Sequence, residues 1–152
     1  MRAYIGLGSN LDEPRAHIER AFEDLARLPS ARLVAVSPLY RSRPIGPQPQ
    51  PDYINAVAEL DTMNDPMRLL AQLQRIETRH GRIRPAPQHW GPRPLDLDLL
   101  IYGRARIQTA RLVVPHPRLA ERGFVLYPLA DVAPELRIPG FGRLPALLAR
   151  VS

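Results

Sequence analysis

The chain has 152 residues, a formal charge of +6, a sequence pI of about 10.7 and no cysteine. That length supports one domain with a real core, expected over residues 1–152. The absence of cysteine excludes disulfides and thiolate metal sites. No apolar run reaches the roughly 18 residues of a membrane-spanning helix, and Met1–Gly6 lacks a signal-peptide pattern, so a cytoplasmic address is expected.

Every basic residue is Arg and none is Lys, so bulk basicity reads as a compositional bias rather than a partner signal. With no basic tail and no run of consecutive cations, a nucleic-acid arm is not expected.

Tyr4–Leu7 reads as a short strand, followed by Gly8-Ser9-Asn10 as a turn. Asn10 or Asp12 is the expected helix cap, and Pro14 suits the first helical turn. Ile18, Ala21, Phe22, Leu25 and Leu28 repeat at helical spacing until Pro29. Leu33–Tyr40 and Tyr53–Leu60 read as strands, with a stiff, Pro-rich loop over Ser42–Asp52 between them. On the second strand Tyr53, Asn55, Val57 and Glu59 share one face.

Asp65-Pro66 opens a helix with an apolar stripe of Leu69, Leu70, Leu73 and Ile76, and Gly81 supplies its left-handed end. A second Pro-rich loop, Arg82–Pro94, leads into an apolar strand carrying Asp96 and Asp98. Short elements follow near Ala105–Gln108 and Arg118–Arg122, then an apolar stretch over Phe124–Ala130 and a terminal helix over Leu144–Val151. The order strand, helix, strand, strand, helix, strand predicts an α+β, ferredoxin-like (split βαβ) antiparallel sheet. Helices would pack on it, with a C-terminal helical appendage.

The chemistry concentrates in His89–Gly103. Alternation places Asp96 and Asp98 on one strand face and Leu95, Leu97 and Leu99 on the other. Paired carboxylates are hard oxygen ligands suited to Mg²⁺ with a phosphate-rich substrate; the plainer reading is an amphipathic strand with a wet face. Arg82, Arg84 and Arg93 in the preceding loop could supply guanidinium forks for phosphate, and Trp90 reads as a lid. Gly6-Leu7-Gly8-Ser9-Asn10 lacks the Lys-Ser/Thr of a phosphate loop, so it is expected to be a tight turn with no phosphate role.

Taken together, these segments resemble the 6-hydroxymethyl-7,8-dihydropterin pyrophosphokinase family of folate synthesis. The resemblance rests on Tyr4–Leu11, Gly46–Asn55, Gln74–Arg84, His89–Tyr102 and Leu112–Pro134. The Trp-Gly-Pro-Arg-x-Leu-Asp-Leu-Asp block is its most specific part. It implies transfer of the β,γ-diphosphate of ATP, the co-substrate, to the pterin hydroxymethyl group, with two Mg²⁺ ions.

By position, the resemblance makes Asp96 and Asp98 the metal ligands and Arg82 and Arg93 the catalytic arginines. Ser42, Pro44, Ile45, Tyr53, Asn55 and Phe124 become the pterin pocket. Gln74, Glu77, Arg84, Trp90, Leu99, Arg111, His116 and Arg122 become nucleotide contacts. Arg43, where a small or apolar residue is common, adds charge at the pterin mouth, and Val113 removes a possible hydroxyl. The expected partners are ATP and the pterin, with no nucleic acid and no membrane, and a monomer is expected. A basic nucleic-acid-binding module and a metal-dependent phosphohydrolase on the same plan are the competing readings.

Overall fold

The computed structural model describes residues 1–44, 49–81 and 94–151. Its central sheet has five strands, β1 (Arg2–Ser9), β2 (Ala31–Val36), β3 (Tyr40–Ser42), β4 (Tyr53–Thr62) and β5 (Asp96–Tyr102); four run in the order β2-β4-β1-β5, and β3 also pairs with β4. All pairings are antiparallel, and α1 (Pro14–Ala26) and α2 (Pro66–Arg79) supply the two crossovers. This is the split βαβ arrangement expected from element order.

Strand alternation sorts the residues onto two faces. Ala3, Ile5, Leu7, Ala56, Ala58, Leu60, Leu95, Leu97 and Leu99 form one core with Ile18, Ala21 and Leu25 of α1 and Leu69, Leu73 and Ile76 of α2. Tyr4, Val57, Leu100 and Ile101 form a second core on the opposite face. They pack there with Leu126 and Leu129 of α3 (Gly123–Val132) and Leu144 and Leu147 of α4 (Leu144–Val151). The C-terminal appendage thus closes only part of that face. Small hairpins, β6 (Ile107–Gln108) with β7 (Val113–Val114) and β8 (Arg137–Ile138) with β9 (Gly142–Arg143), connect it.

Several local expectations are corrected. β1 extends through Ser9, so Gly8 and Ser9 are strand residues rather than turn residues. α1 has no side-chain cap; its N-cap is Glu13 at φ 61, and Asp12 is also left-handed at φ 55. Asn10 is diverted elsewhere, its Nδ2 donating to Gln50 Oε1 at 2.7 Å and to the Pro51 carbonyl at 3.0 Å.

The expected Leu33–Tyr40 strand is two strands, β2 and β3 (Tyr40–Ser42), because Pro38 cannot donate to a ladder. Ser37 covers the break: its Oγ accepts from Val57 N at 2.9 Å and its own N–H donates to Val57 O at 2.8 Å. The short element expected around Arg118–Arg122 is a 3₁₀ helix over Leu119–Glu121. The second helix begins as expected, with Asp65 Oδ1 accepting from Arg68 N at 2.9 Å.

Candidate active site

Where α3 and α4 leave the sheet uncovered, a cavity of about 500 Å³ opens over β4, β1 and β5, within the size range of small-molecule sites. Two rows of register build its floor. Asn55, Gly8 and Asp96 lie side by side across the three strands, and Val57, Gly6 and Asp98 form the next row. Both acids therefore project into one cleft from the face opposite Leu95, Leu97 and Leu99, as alternation requires.

The glycines make that floor shallow. A Cβ on Gly8 would lie 3.5 Å from Asn55 Oδ1 and 3.5 Å from Tyr53 Cδ1, and one on Gly6 would lie 3.3 Å from Leu100 Cδ1. Sequence reasoning missed both as site residues. Their spacing of two inside an apolar strand was the available signal.

At one end of the cavity stand Ser42, Arg43, Tyr53, Asn55 and Phe124. Asn55 is buried, and its Nδ2 donates to Ser42 Oγ at 2.7 Å. That bond orients the amide so that its carbonyl oxygen serves as the acceptor toward a ligand. With Tyr53 and Phe124 this end can stack on and hydrogen-bond a flat heterocycle. The segment entering it is tied down through Asn10 by the bonds to Gln50 and Pro51.

At the other end are Gln74, Glu77, Asp96, Asp98, His116, Arg118 and Arg122. Burial holds the His116 pKa below the ordinary imidazole value; the Arg122 guanidinium adds to this and the Asp96 carboxylate opposes it. Its Nδ1 accepts from Arg118 N at 3.3 Å, so the neutral ring presents Nε2–H as its donor. The Arg122 guanidinium carbon lies 5.6 Å from the Phe124 ring centroid, joining the cationic end to the aromatic end.

Of the remaining expected residues, the Leu99 side chain packs in the core with α1 and α2. Arg111, which is exposed, and Pro44, which is half-buried, do not line the cavity. Ile45, Arg82, Arg84, Trp90 and Arg93 lie outside the described residues. Among the described residues no third His, Cys, Asp or Glu gathers with the acid pair into a metal-binding group. An all-oxygen pair without imidazole or thiolate fits Mg²⁺. That ion keeps several waters and takes one or two carboxylates plus phosphate oxygens, rather than an all-protein cage.

Comparison with known proteins identifies the family. The pattern of the family described as 7,8-dihydro-6-hydroxymethylpterin-pyrophosphokinase (HPPK) matches residues 4–134. A Pseudomonas aeruginosa 2-amino-4-hydroxy-6-hydroxymethyldihydropteridine pyrophosphokinase is 54% identical over 148 residues, covering 97% of this chain and 90% of its own. The Haemophilus influenzae protein of the same name is 47% identical over 137 residues, covering 90% and 84%.

A solved HPPK-DHPS chain in complex with substrates superposes with a TM-score of 0.75 at 12% identity, covering 98% of this chain and 43% of that one. The Plasmodium falciparum HPPK-DHPS with pteroate gives 0.75 at 14% identity, covering 98% and 42%. The chain spans less than half the length of those solved proteins, and at such identity they attest the fold alone. No helix among the described residues is long and apolar enough to cross a membrane. The match over nearly the whole chain, together with an acid pair and an aromatic–amide end in one cleft, means that this chain belongs to the 7,8-dihydro-6-hydroxymethylpterin-pyrophosphokinase family.

Proposed function

We propose that the cleft binds Mg-ATP and 6-hydroxymethyl-7,8-dihydropterin side by side, and that Asp96 and Asp98 hold the magnesium ions serving the transfer. The pterin hydroxymethyl oxygen bonds to the β-phosphorus, the bond from that phosphorus to the α,β-bridging oxygen breaks, AMP departs and the hydroxyl proton is released. The product is the pterin diphosphate of folate biosynthesis. Magnesium, when bound, supplies neutralisation of phosphate charge in this chemistry.

The chain's own residues bind and orient. Tyr53 and Phe124 sandwich the pterin, and Asn55, held by Ser42, reads its polar edge, with Pro44 and Ile45 completing that pocket. His116, Arg122 and Gln74 serve the nucleotide, with Leu99 and Arg111 assigned to it by family position alone. Arg82 and Arg93 stabilise the transferring group, and Arg84 and Trp90 close over it. Such transfer rests on positioning and electrostatics rather than covalent catalysis. We place the protein in the cytoplasm as a monomer, with no nucleic-acid or membrane partner.

The observation that carries this reading is the pair of register rows, which puts Asn55 and Asp96 on either side of a bare glycine. Adjacent strands lie about 4.8 Å apart, so the heterocycle end and the acid end are separated by roughly 10 Å across Gly8. The test is incubation with Mg-ATP with and without the pterin, resolving adenine nucleotides by chromatography. AMP formed only when pterin is present is the expected result. Hydrolysis of ATP without acceptor would make the chain a phosphohydrolase, and salt-sensitive oligonucleotide binding without turnover would make it a nucleic-acid module.

A further inference from the structure

Glu77 is 2% exposed, the least exposed charged residue among those described. A carboxylate so placed is costly unless it is hydrogen-bonded. Its Oε2 accepts from the backbone N–H of Leu97 at 2.8 Å, and Leu97 is the residue between Asp96 and Asp98. β5 is the outermost strand of the sheet on that side. In an antiparallel ladder alternate residues turn their backbone groups away from the partner strand, and at Leu97 that direction is off the sheet's edge, toward α2. The amide nitrogen of Leu97 belongs to the same peptide plane as the carbonyl of Asp96. Holding that N–H fixes the plane on which the direction of the Asp96 side chain depends, and Asp98 follows on the same face.

The rest of β5 is anchored by other groups. Ser9 Oγ donates to the Pro94 carbonyl before the strand, His116 N donates to Leu100 O at 2.8 Å, and Tyr102 OH donates to Asn64 O at 2.5 Å. Glu77 reaches the one backbone N–H that lies between the two acids.

We propose that Glu77 is a positioning residue whose buried carboxylate fixes the Asp96–Leu97 peptide plane and so aims the Asp96–Asp98 pair into the cleft. This differs from the nucleotide contact implied by the family resemblance, and it rests on the reading that Asp96 and Asp98 hold magnesium. A group 2% exposed and already engaged with backbone is poorly placed to meet a phosphate chain, whose charge it would repel.

The test uses the full chain. In Glu77→Ala, the magnesium concentration giving half-maximal AMP formation rises about tenfold, as when an outer partner of a metal ligand is removed. The KM for Mg-ATP at saturating magnesium stays within about twofold. Glu77→Gln, whose amide oxygen accepts the same bond, restores the magnesium requirement to within about threefold of native. Calorimetric titration of Mg²⁺ in the presence of ATP shows the same order of affinities without turnover.

In the native protein, amide hydrogen exchange finds Leu97 protected despite its place on an edge strand. That measurement stands even if Glu77→Ala does not fold. Leu97 exchanging as an open edge amide overturns the proposal. So does a raised KM for Mg-ATP with an unchanged magnesium requirement, a Glu77→Gln variant as impaired as Glu77→Ala, or a lowered melting temperature with magnesium response intact. A native protein that makes no AMP from Mg-ATP and the pterin defeats the parent reading instead.

Discussion

The two faces of the central sheet are written by the same strands, yet they serve opposite ends. The face toward α1 and α2 is apolar from Ala3 through Leu7 on β1, from Ala56 through Leu60 on β4 and at Leu97 and Leu99 on β5, and these residues are buried. The other is apolar only where α3 and α4 cover it, at Tyr4, Val57, Leu100 and Ile101. Beyond that cover it turns to Gly6, Gly8, Tyr53, Asn55, Asp96 and Asp98. Because side chains alternate with a period of two, neighbouring residues answer to different demands. Leu97 packs in the core, and its flanking aspartates face the cleft.

The sharpest break of this comparison is at the aspartates. Asp96→Ala or Asp98→Ala should cost several kcal/mol of transition-state stabilisation, a loss of roughly a thousandfold in kcat. The melting temperature should stay near native. Assaying AMP release beside a thermal melt checks both halves, and near-native turnover in either variant would remove the acids from the metal site.

One residue away the effect should invert. Leu97→Ala leaves a hole in the closed core and should destabilise by about 2–5 kcal/mol, read from urea unfolding, while kcat of the folded fraction falls only a few-fold. A large loss of turnover at unchanged stability would deny that the two faces are independent.

Tyr53→Ala tests the heterocycle end. Loss of a stacking ring should weaken pterin affinity roughly tenfold and leave the KM for ATP unchanged, as steady-state kinetics with each substrate varied will show. Equal losses for both substrates would merge the two ends of the cleft.

The smallest effect is one of pH. His17, behind the closed face, has its pKa held down by burial, then by the His80 and Arg20 charges. Its Nδ1 lies 2.8 Å from His80 Nδ1, and His80 Nε2 lies 2.9 Å from Asp24 Oδ2. A depressed folded pKa means the unfolded chain takes up the proton first as pH falls below the ordinary value of 6.5. Stability is therefore full above that value and declines below it, toward the lower folded pKa. His17→Gln should flatten the slope of unfolding free energy between pH 7 and pH 5 without moving the pH profile of AMP formation. His116 shifts in the same direction at the open face, so an unaltered slope in His17→Gln would assign the acid sensitivity there.

Much of the fold was legible because its signals are local and periodic. The 3.6-residue stripe of α2, its Asp65 cap and the alternation around Asp96 and Asp98 carry their outcome in the sequence itself. What was not legible depends on distant partners. Asn10 has the chemistry of a helix cap, but Gln50 and Pro51 claim its amide, and a left-handed Glu13 takes over the turn. The register shift opposite Tyr4 and Ile5, which leaves Leu100 unpaired between Leu99 and Ile101, is set by pairing with β1. It turns Leu100 and Ile101 both toward the α3–α4 side.

The candidate site divides in the same way. Acidic and aromatic residues announce chemistry by type, whereas Gly6 and Gly8 matter for atoms they lack, and only the strand order reveals what lies beside them. Glu77 could be matched to a family position, but its bond to Leu97 needs the helix and strand brought together.

Strand β5 also bears on how copies of this protein avoid one another. A long apolar strand at the margin of a sheet is a template for intermolecular pairing and aggregation. Here its outward N–H at Leu97 is occupied by Glu77 and its outward carbonyl at Leu100 by His116. Glu77 and His116 thus deny a second chain two of the outward backbone groups it would need for pairing, and the first of these is also the contact proposed to aim the acid pair.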